Sequence, residues 1–188
     1  MDYINHKMRC IVVDGYIGWN KENRLKVRSF CTRSYHALFM HNMLVRPTER
    51  ELLEDFSKGA DVHIFNAGEM AVSKNIEGLG STAVTAINLS EKKLAILGTQ
   101  FAGEMKKSLF KITHYTMPRK GVLTLRASAT VNPKGSVTVL CGRSAAGKSA
   151  LFMQNDRKVI SDDELAWSDE GVSSIEGGCY VKVQNHNR

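Results

Sequence analysis

The sequence predicts an α/β protein, and two kinds of local pattern carry that prediction. Short apolar segments rich in β-branched residues, which are typical of strands in covered sheets, alternate with segments whose apolar residues follow helical spacing. A glycine-rich loop follows directly after one of the strand-like segments. Since a chain of 188 residues with 43% hydrophobic content can bury a substantial core, we expect one domain or two small ones packed together.

The first half of the chain is predicted to hold five strands, two helices and a polar loop at residues 73–82. The strands are predicted at 10–19, 25–31, 62–67, 83–89 and 93–99. Apolar residues at helical spacing predict a helix over 34–45, which Pro47 ends. A second helix begins after Thr48, because Glu51 three residues later completes a capping-box pattern.

The second half is predicted to continue the alternation of helices and strands. Helical spacing over 104–117 is ended by Pro118, and strands follow at 121–131 and 135–142 with an Asn-Pro-Lys-Gly turn between them. The glycine-rich loop and a helix come next. Residues 158–168 are predicted to form a short strand that leads into an acidic turn, and the remainder of the chain is short strand and tail.

Charge and composition narrow the classes of function. A formal net charge of +7 favours anionic ligands, but the basic residues are spread along the chain without a nucleic-acid-binding motif, so nucleic acid is disfavoured. No stretch approaches the roughly 18 consecutive apolar residues of a membrane span, and the first ten residues lack a signal-peptide pattern, so we expect a cytoplasmic protein. Four cysteines without C-x-x-C spacing argue against a zinc ribbon and a disulfide framework. Trp19 and Trp167 are expected in the core.

The strongest local motif is CGRSAAGKSA at 141–150, which matches G-x-x-x-x-G-K-[ST]. Backbone N–H groups of such a loop and the following helix N-terminus bind phosphate oxygens, the lysine (Lys148) neutralises phosphate charge, and the hydroxyl (Ser149) holds magnesium. An ordinary glycine-rich turn is the alternative. The strand before the loop and the predicted helix after it favour a nucleotide phosphate site.

Two further segments carry candidate site residues. Asp162 and Asp163 are adjacent carboxylates at the end of an apolar strand, where they are costly unless a cation compensates them, so they are candidate metal contacts. A solvated acidic turn or a helix N-cap is the alternative. Lys106 and Lys107 lie next to a glycine at a predicted strand-to-helix junction. A lysine pair is usually solvated surface, but together with the other two sites it predicts an anion or metal-edge contact, and a metal-bound lysine must be neutral.

With these sites in order, the chain resembles the ATP-dependent phosphoenolpyruvate carboxykinase family. The resemblance implies the gluconeogenic reaction of oxaloacetate and ATP to phosphoenolpyruvate, ADP and carbon dioxide, assisted by Mg²⁺ and Mn²⁺. The segments that carry the resemblance, in the family's order and besides the glycine-rich loop, are VVDGYIGW, YHALFMHNMLVRPTERELL, FNAGE, ILGTQFAGEMKKSLFKITHYTMPRKGVL and ISDDELAWSDEGVSSIEGGCYVK.

The resemblance also implies a role for each site residue. Lys148 would stabilise the transferring phosphate and Ser149 would ligate magnesium. Lys107 and Asp163 fall on manganese-ligand positions, Asp162 would contact a magnesium-bound water, and Phe101 stands where the family has a substrate-contacting tyrosine. We therefore expect catalytic roles for Lys107, Lys148 and Asp162, and substrate contacts from Phe101 and Lys107. The loop residues that would wrap the triphosphate are Gly142, Arg143, Ser144, Ala145, Ala146, Gly147, Lys148, Ser149 and Ala150.

The sequence departs from the family pattern at several of these positions. Arg126 stands where the family has a manganese-binding histidine, and a guanidinium cannot act as a metal ligand. Alanines and Ser149 replace glycine and threonine residues of the family's phosphate loop. Two alternatives therefore stay open beside the carboxykinase: a pseudoenzyme that binds a nucleotide or another polyanion without turnover, and a small P-loop kinase or phosphatase.

The resemblance implies an α+β N-terminal part followed by a P-loop-containing mononucleotide-binding part, with mixed sheets. Residues 1–121 would be a portion of the first part and 122–188 the beginning of the second. Full-length family members are much longer, so the family fold is expected to be incomplete here. Three explanations of this length stay open: a gene fragment, a degenerate paralogue, and half of a split enzyme whose partner chain supplies the missing segments.

Overall fold

The computed structural model describes residues 2–6, 9–73, 75–142 and 157–178. Its largest unit is a five-stranded sheet, made of β1 (Ile11–Ile17), β2 (Leu25–Cys31), β3 (Val62–Ala67), β4 (Val84–Asn88) and β5 (Lys93–Leu97). The spatial order is β1-β2-β3-β5-β4. The first two strands form an antiparallel ribbon, β2, β3 and β5 run parallel, and β4 is an antiparallel edge strand. The sheet is therefore mixed.

The helices are α1 (Asp2–Asn5), α2 (Ser34–Met43), α3 (Glu49–Glu54) and α4 (Gly103–Thr116), and a 3₁₀ helix spans Met117–Lys120. Buried residues of α2 and α4, such as Met40 and Leu109, pack in one core cluster with Val27 and Ile64 of the sheet. The predicted capping box at Thr48 and Glu51 is confirmed at the start of α3. Among the described residues, none of these helices has the length and hydropathy needed to cross a membrane.

The later strands form two small antiparallel sheets. The strands are β6 (Leu123–Leu125), β7 (Ala127–Val131), β8 (Val137–Cys141), β9 (Lys158–Ser161), β10 (Leu165–Ser168) and β11 (Gly171–Ser174). One sheet has the order β11-β10-β6 and the other β8-β7-β9. The predicted α/β class with several sheets is confirmed. The helix expected after the glycine-rich loop lies outside the described residues.

The prediction of one strand over 121–131 is wrong. The chain changes sheets at Arg126, so that Leu125 pairs with Leu165 while Ala127 pairs with Cys141. A local apolar pattern cannot reveal this change of partner, because both pieces have the same strand-like composition. A smaller difference concerns Pro118, which does not end the helical path but lies in the 3₁₀ turn after α4. Proline is tolerated in a first helical turn because its missing N–H has no partner to lose there.

Segment 174–178 ties the end of the described chain to its beginning. The N–H of Gly18 donates to the carbonyl of Ile175 at 2.7 Å, and the N–H of Gly177 donates to the carbonyl of Met43 at 2.9 Å. Ile175 and Val122 are buried in the same cluster as the core of the five-stranded sheet. The core therefore crosses the predicted boundary between residues 121 and 122, and that boundary stays a prediction.

We expect Gly177→Ala to destabilise the chain. A Cβ at this position would lie 2.1 Å from the carbonyl oxygen of Leu44 and 2.5 Å from the amide nitrogen of Val45, so backbone has to shift. Overpacking of this kind costs about 1–3 kcal/mol of unfolding free energy, which urea denaturation measures. Gly80→Ala is the matched control, since its Cβ would meet nothing within 4 Å. Equal midpoints for the two variants would contradict the close approach at Gly177.

Candidate functional site

A cluster of charged side chains lies where α4 meets the later strands. Lys106 comes from the first half of α4, Asp163 from the turn between β9 and β10, and Glu176 from the segment after β11. The Lys106 Nζ lies 3.1 Å from Asp163 Oδ2 and 2.6 Å from Glu176 Oε1. Arg126 adds a second cation, its Nε 3.2 Å from Asp163 Oδ1. These four residues are called the charged cluster below.

Burial and pairing set the protonation of the Lys106 and Asp163 side chains. Burial alone would lower the pKa of Lys106, but Glu176 and Asp163 outweigh it, so the pKa lies above its ordinary value. Burial alone would raise the pKa of Asp163, but Lys106 and then Arg126 outweigh it, so that pKa lies below its ordinary value. Lys106 is therefore an ammonium ion and Asp163 a carboxylate at neutral pH.

Glu176 is the most buried acid of the cluster. Only 4% of its side chain is exposed. Burial raises the pKa of Glu176 to about 7, although the neighbouring Lys106 acts in the opposite direction. Its backbone is fixed by Ser174, whose hydroxyl donates to the Glu176 carbonyl, and by the Trp19 indole N–H, which donates to the same oxygen at 2.7 Å.

Lys107, the lysine that the family resemblance selects, faces away from these ion pairs. Its side chain is 62% exposed, with Nζ 3.2 Å from Glu104 Oε1 and 4.9 Å from the centre of the Phe101 ring. The ring lies over the start of α4, where a Cβ on Gly103 would come within 2.6 Å of it. The two predicted substrate residues, Lys107 and Phe101, are thus neighbours on an exposed surface.

The helical phase of α4 explains why Lys106 lies next to the buried face and Lys107 does not. Met105, Leu109 and Ile112 mark the buried face of α4, and Lys106 lies at its edge. Lys107 shares the exposed stripe with Lys111 and Tyr115, at i+4 and i+8. The spacing of the apolar residues in the sequence already contained this signal.

Asp162 lies beside the charged cluster and lines a cavity of about 230 Å³. Its carbonyl oxygen accepts a hydrogen bond from the Ser128 hydroxyl of β7. Trp19 contributes to the same cavity and is half exposed, so the expectation that it belongs to the core is wrong, and the half-exposed Trp167 also contradicts that expectation. The other residues that line the cavity are Ile160, Ser161, Ser174, Glu176, Gly177 and Gly178.

The start of the glycine-rich loop and the acidic turn lie at one end of the β8-β7-β9 sheet. Cys141, the last residue of β8, pairs with Ala127, the first residue of β7. Ser161, the last residue of β9, pairs with Ala129. Gly142 and Asp162 therefore follow the ends of the two strands that flank β7, and Arg126 directly precedes β7. The remaining predicted loop residues, Arg143 to Ala150 with Lys148 and Ser149, lie outside the described residues.

The charged cluster does not fit a manganese ion at Asp163. Each carboxylate oxygen of Asp163 already faces a cation of the chain, and neither an ammonium ion nor a guanidinium can coordinate a metal. Across the described ranges, no group of three or more His, Cys, Asp or Glu side chains is placed to hold a metal ion. Lys107 as a metal ligand stays a prediction.

Sequence reasoning missed two residues that organise the site. Glu176 was not singled out. It stands between Ile175 and two glycines, close to the end of a strand, and an acid is unusual in such a position. Glu164 was also missed, and its Oε2 lies 3.2 Å from Nε2 of His114 on α4. Both acids hold the later strands against α4.

We expect Lys106→Met to destabilise the chain far more than Lys107→Met. The first change leaves Glu176 buried and Asp163 half-buried without their shared ammonium ion, which costs about 2–3 kcal/mol of unfolding free energy after allowance for the exposure of Asp163. The second removes an exposed pair worth about 1 kcal/mol or less. Chemical denaturation of the two variants tests this, and a reversed order would show that Lys107 is the structural lysine.

The raised pKa of Glu176 predicts a pH dependence of stability. The folded pKa of about 7 exceeds the ordinary value of 4.5, so this group's contribution is complete below pH 4.5 and is lost as the pH rises through 7. Relative to Glu176→Gln, which cannot titrate, the wild-type unfolding free energy should fall by about 3 kcal/mol across this window. Denaturation of both proteins at pH 4 and pH 8 measures the difference, and a constant difference would contradict the shift.

Comparison with known proteins agrees with the family resemblance predicted from the sequence motifs. A family model described as phosphoenolpyruvate carboxykinase matches residues 1–188. The chain is 46% identical over 182 residues to phosphoenolpyruvate carboxykinase (ATP) 2 of Salinibacter ruber, covering 97% of this chain and 34% of that protein. It is 49% identical over 184 residues to phosphoenolpyruvate carboxykinase (ATP) of Neurospora crassa, covering 97% of this chain and 30% of that protein.

A third relative, phosphoenolpyruvate carboxykinase (ATP) of Dictyostelium discoideum, is 45% identical over 189 residues, covering 100% of this chain and 34% of that protein. The chain spans about a third of the length of the curated relatives it matches. The match of the family model to the whole chain confirms the resemblance predicted from its motifs. This chain therefore belongs to the ATP-dependent phosphoenolpyruvate carboxykinase family.

Proposed function

We propose that this chain provides the phosphate-binding side of a phosphoenolpyruvate carboxykinase, which converts oxaloacetate and ATP to phosphoenolpyruvate, ADP and carbon dioxide. The observation that carries the proposal is the convergence of the start of the glycine-rich loop, Asp162 and Arg126 at one end of the β8-β7-β9 sheet. A loop that binds a triphosphate needs its charged partners at the same end of the sheet, because phosphoryl transfer depends on positioning and electrostatics.

The chemistry requires positive charge near two developing anions. Cleavage of the bond to the leaving carboxylate releases carbon dioxide and leaves its electron pair on an enolate. The enolate oxygen attacks the γ-phosphorus, the bond from that phosphorus to ADP breaks, and phosphoenolpyruvate forms. Cations that are in place before the reaction stabilise this charge without reorganisation.

Residues 142–150 are assigned to the triphosphate in this proposal, with Lys148 on the transferring phosphate. Magnesium bound with ATP neutralises phosphate charge, and Ser149 is the residue proposed to hold it. Lys107 is an exposed cation whose Nζ lies 4.9 Å from the centre of the Phe101 ring, so its ammonium group can approach a substrate carboxylate or an enolate. Asp162, on the cavity wall, is proposed to orient a magnesium-bound water.

A second candidate is a family member that binds a nucleotide without turning over oxaloacetate. The observation that favours it is the ion pair between Arg126 and Asp163, which occupies a carboxylate oxygen that the family resemblance assigns to manganese. Nucleotide binding does not require that oxygen, whereas the carboxykinase reaction of the family is assisted there by a metal ion. Binding and turnover are therefore separable.

We expect saturable binding of Mg-ATP in calorimetric titrations of the chain, weakened at least about tenfold by Lys148→Ala, because the lysine carries the phosphate charge. Lys134→Ala, in the exposed turn after β7, is the matched control and should bind as the wild type does. Oxaloacetate-dependent formation of ADP and phosphoenolpyruvate is measured on the same samples.

The outcomes separate the two candidates from each other and from a chain that binds no nucleotide. Binding with turnover supports the carboxykinase proposal. Binding without turnover supports the nucleotide-binding member. No binding by a folded chain, or equal binding by the Lys148→Ala variant, overturns both proposals for this chain.

A further inference from the structure

We infer that Arg126 takes the place of a divalent cation at Asp163, so that this chain binds no manganese ion there. The inference deepens the proposed function and rests on it only for the identity of the site. Its carrying observation is that the two oxygens of one carboxylate, Asp163, are taken by two cations of the chain itself, Lys106 at 3.1 Å and Arg126 at 3.2 Å.

The charge of Asp163 is compensated by groups of the chain itself. The charged cluster contains two cationic groups, Lys106 and Arg126, and two carboxyl groups, Asp163 and Glu176. Asp163 therefore has its charge compensated without an added ion. A divalent ion at Asp163 would lie beside both cations, and like charges a few ångströms apart repel by about 4 kcal/mol or less per pair of unit charges near a protein surface.

Arginine differs from lysine in how it responds to a nearby metal ion. A lysine near a metal can lose its proton and coordinate, but a guanidinium keeps its proton at every accessible pH. Arg126 can therefore neither become a ligand nor become neutral. Displacing it from Asp163 leaves a positive charge in the same site, so a metal ion gains less there than it would beside a neutral side chain.

The Arg126 backbone lies between two paired strands. Its neighbours are fixed on both sides, since Leu125 pairs with Leu165 in one sheet and Ala127 pairs with Cys141 in the other. The side chain at residue 126 therefore starts from a point held near the Asp162–Asp163 turn. A shorter imidazole at this position would leave room between itself and the carboxylate, and imidazole and carboxylate are both manganese ligands.

Manganese binding to the whole chain, without nucleotide or oxaloacetate, tests the inference. The electron paramagnetic resonance signal of free Mn²⁺ is followed during titration of the wild type, Arg126→His, Arg126→Gln and Asp163→Asn. Arg119→His is the matched control, since Arg119 is an exposed arginine whose contacts are with the Tyr115 side chain.

The expected result is that the wild type and Asp163→Asn take up Mn²⁺ alike, without a stoichiometric site. Arg126→His should gain a site at least about tenfold tighter, because it exchanges a permanent cation for an imidazole that can bind a metal ion. Combining it with Asp163→Asn should remove the gain, Arg126→Gln should give a smaller gain, and Arg119→His none.

Two results overturn the inference. One is a stoichiometric Mn²⁺ site in the wild type that Asp163→Asn removes. The other is an Arg126→His variant that is folded by circular dichroism and gains no site. Since no nucleotide is present, a failure of ATP binding leaves this test unaffected, and the two proposals can fail independently.

Discussion

The Lys106 ammonium group joins the two halves of the chain, and the geometry of the candidate site depends on it. Lys106 belongs to α4, which packs on the five-stranded sheet, whereas Asp163 and Glu176 belong to the later strands. Glu176 is almost excluded from water, where an unpaired carboxylate is very costly. The ion pairs therefore hold the 162–163 turn, and Asp162 with it, against the helix.

A second cation changes what this arrangement can bind. With Lys106 alone, Asp163 would keep one oxygen for an added positive charge. The guanidinium of Arg126 pairs with that oxygen. The residues on either side of Arg126 are paired in two different sheets. The site that results has the chain's own cations where the family resemblance places a metal ion.

Much of the fold was predictable, because it follows from local patterns. The strands of the main sheet and the helices α2, α3 and α4 lie within a few residues of the predicted segments. The capping box at Thr48 was visible because its two partners are three residues apart. The switch of sheets at Arg126 was not visible, because strand partners are chosen by residues distant in the sequence, such as Leu165 and Cys141.

The sequence by itself determined the family, the loop motif and the replacement of a histidine by Arg126, because these are properties of residue identity and order. Only the tertiary structure decided that Lys106 rather than Lys107 pairs with Asp163, that Glu176 shares that lysine, and that Arg126 takes the other carboxylate oxygen. The physical reason is that an ion pair depends on helix phase, strand partner and burial together. Those are set when separate segments pack, and no single segment contains them.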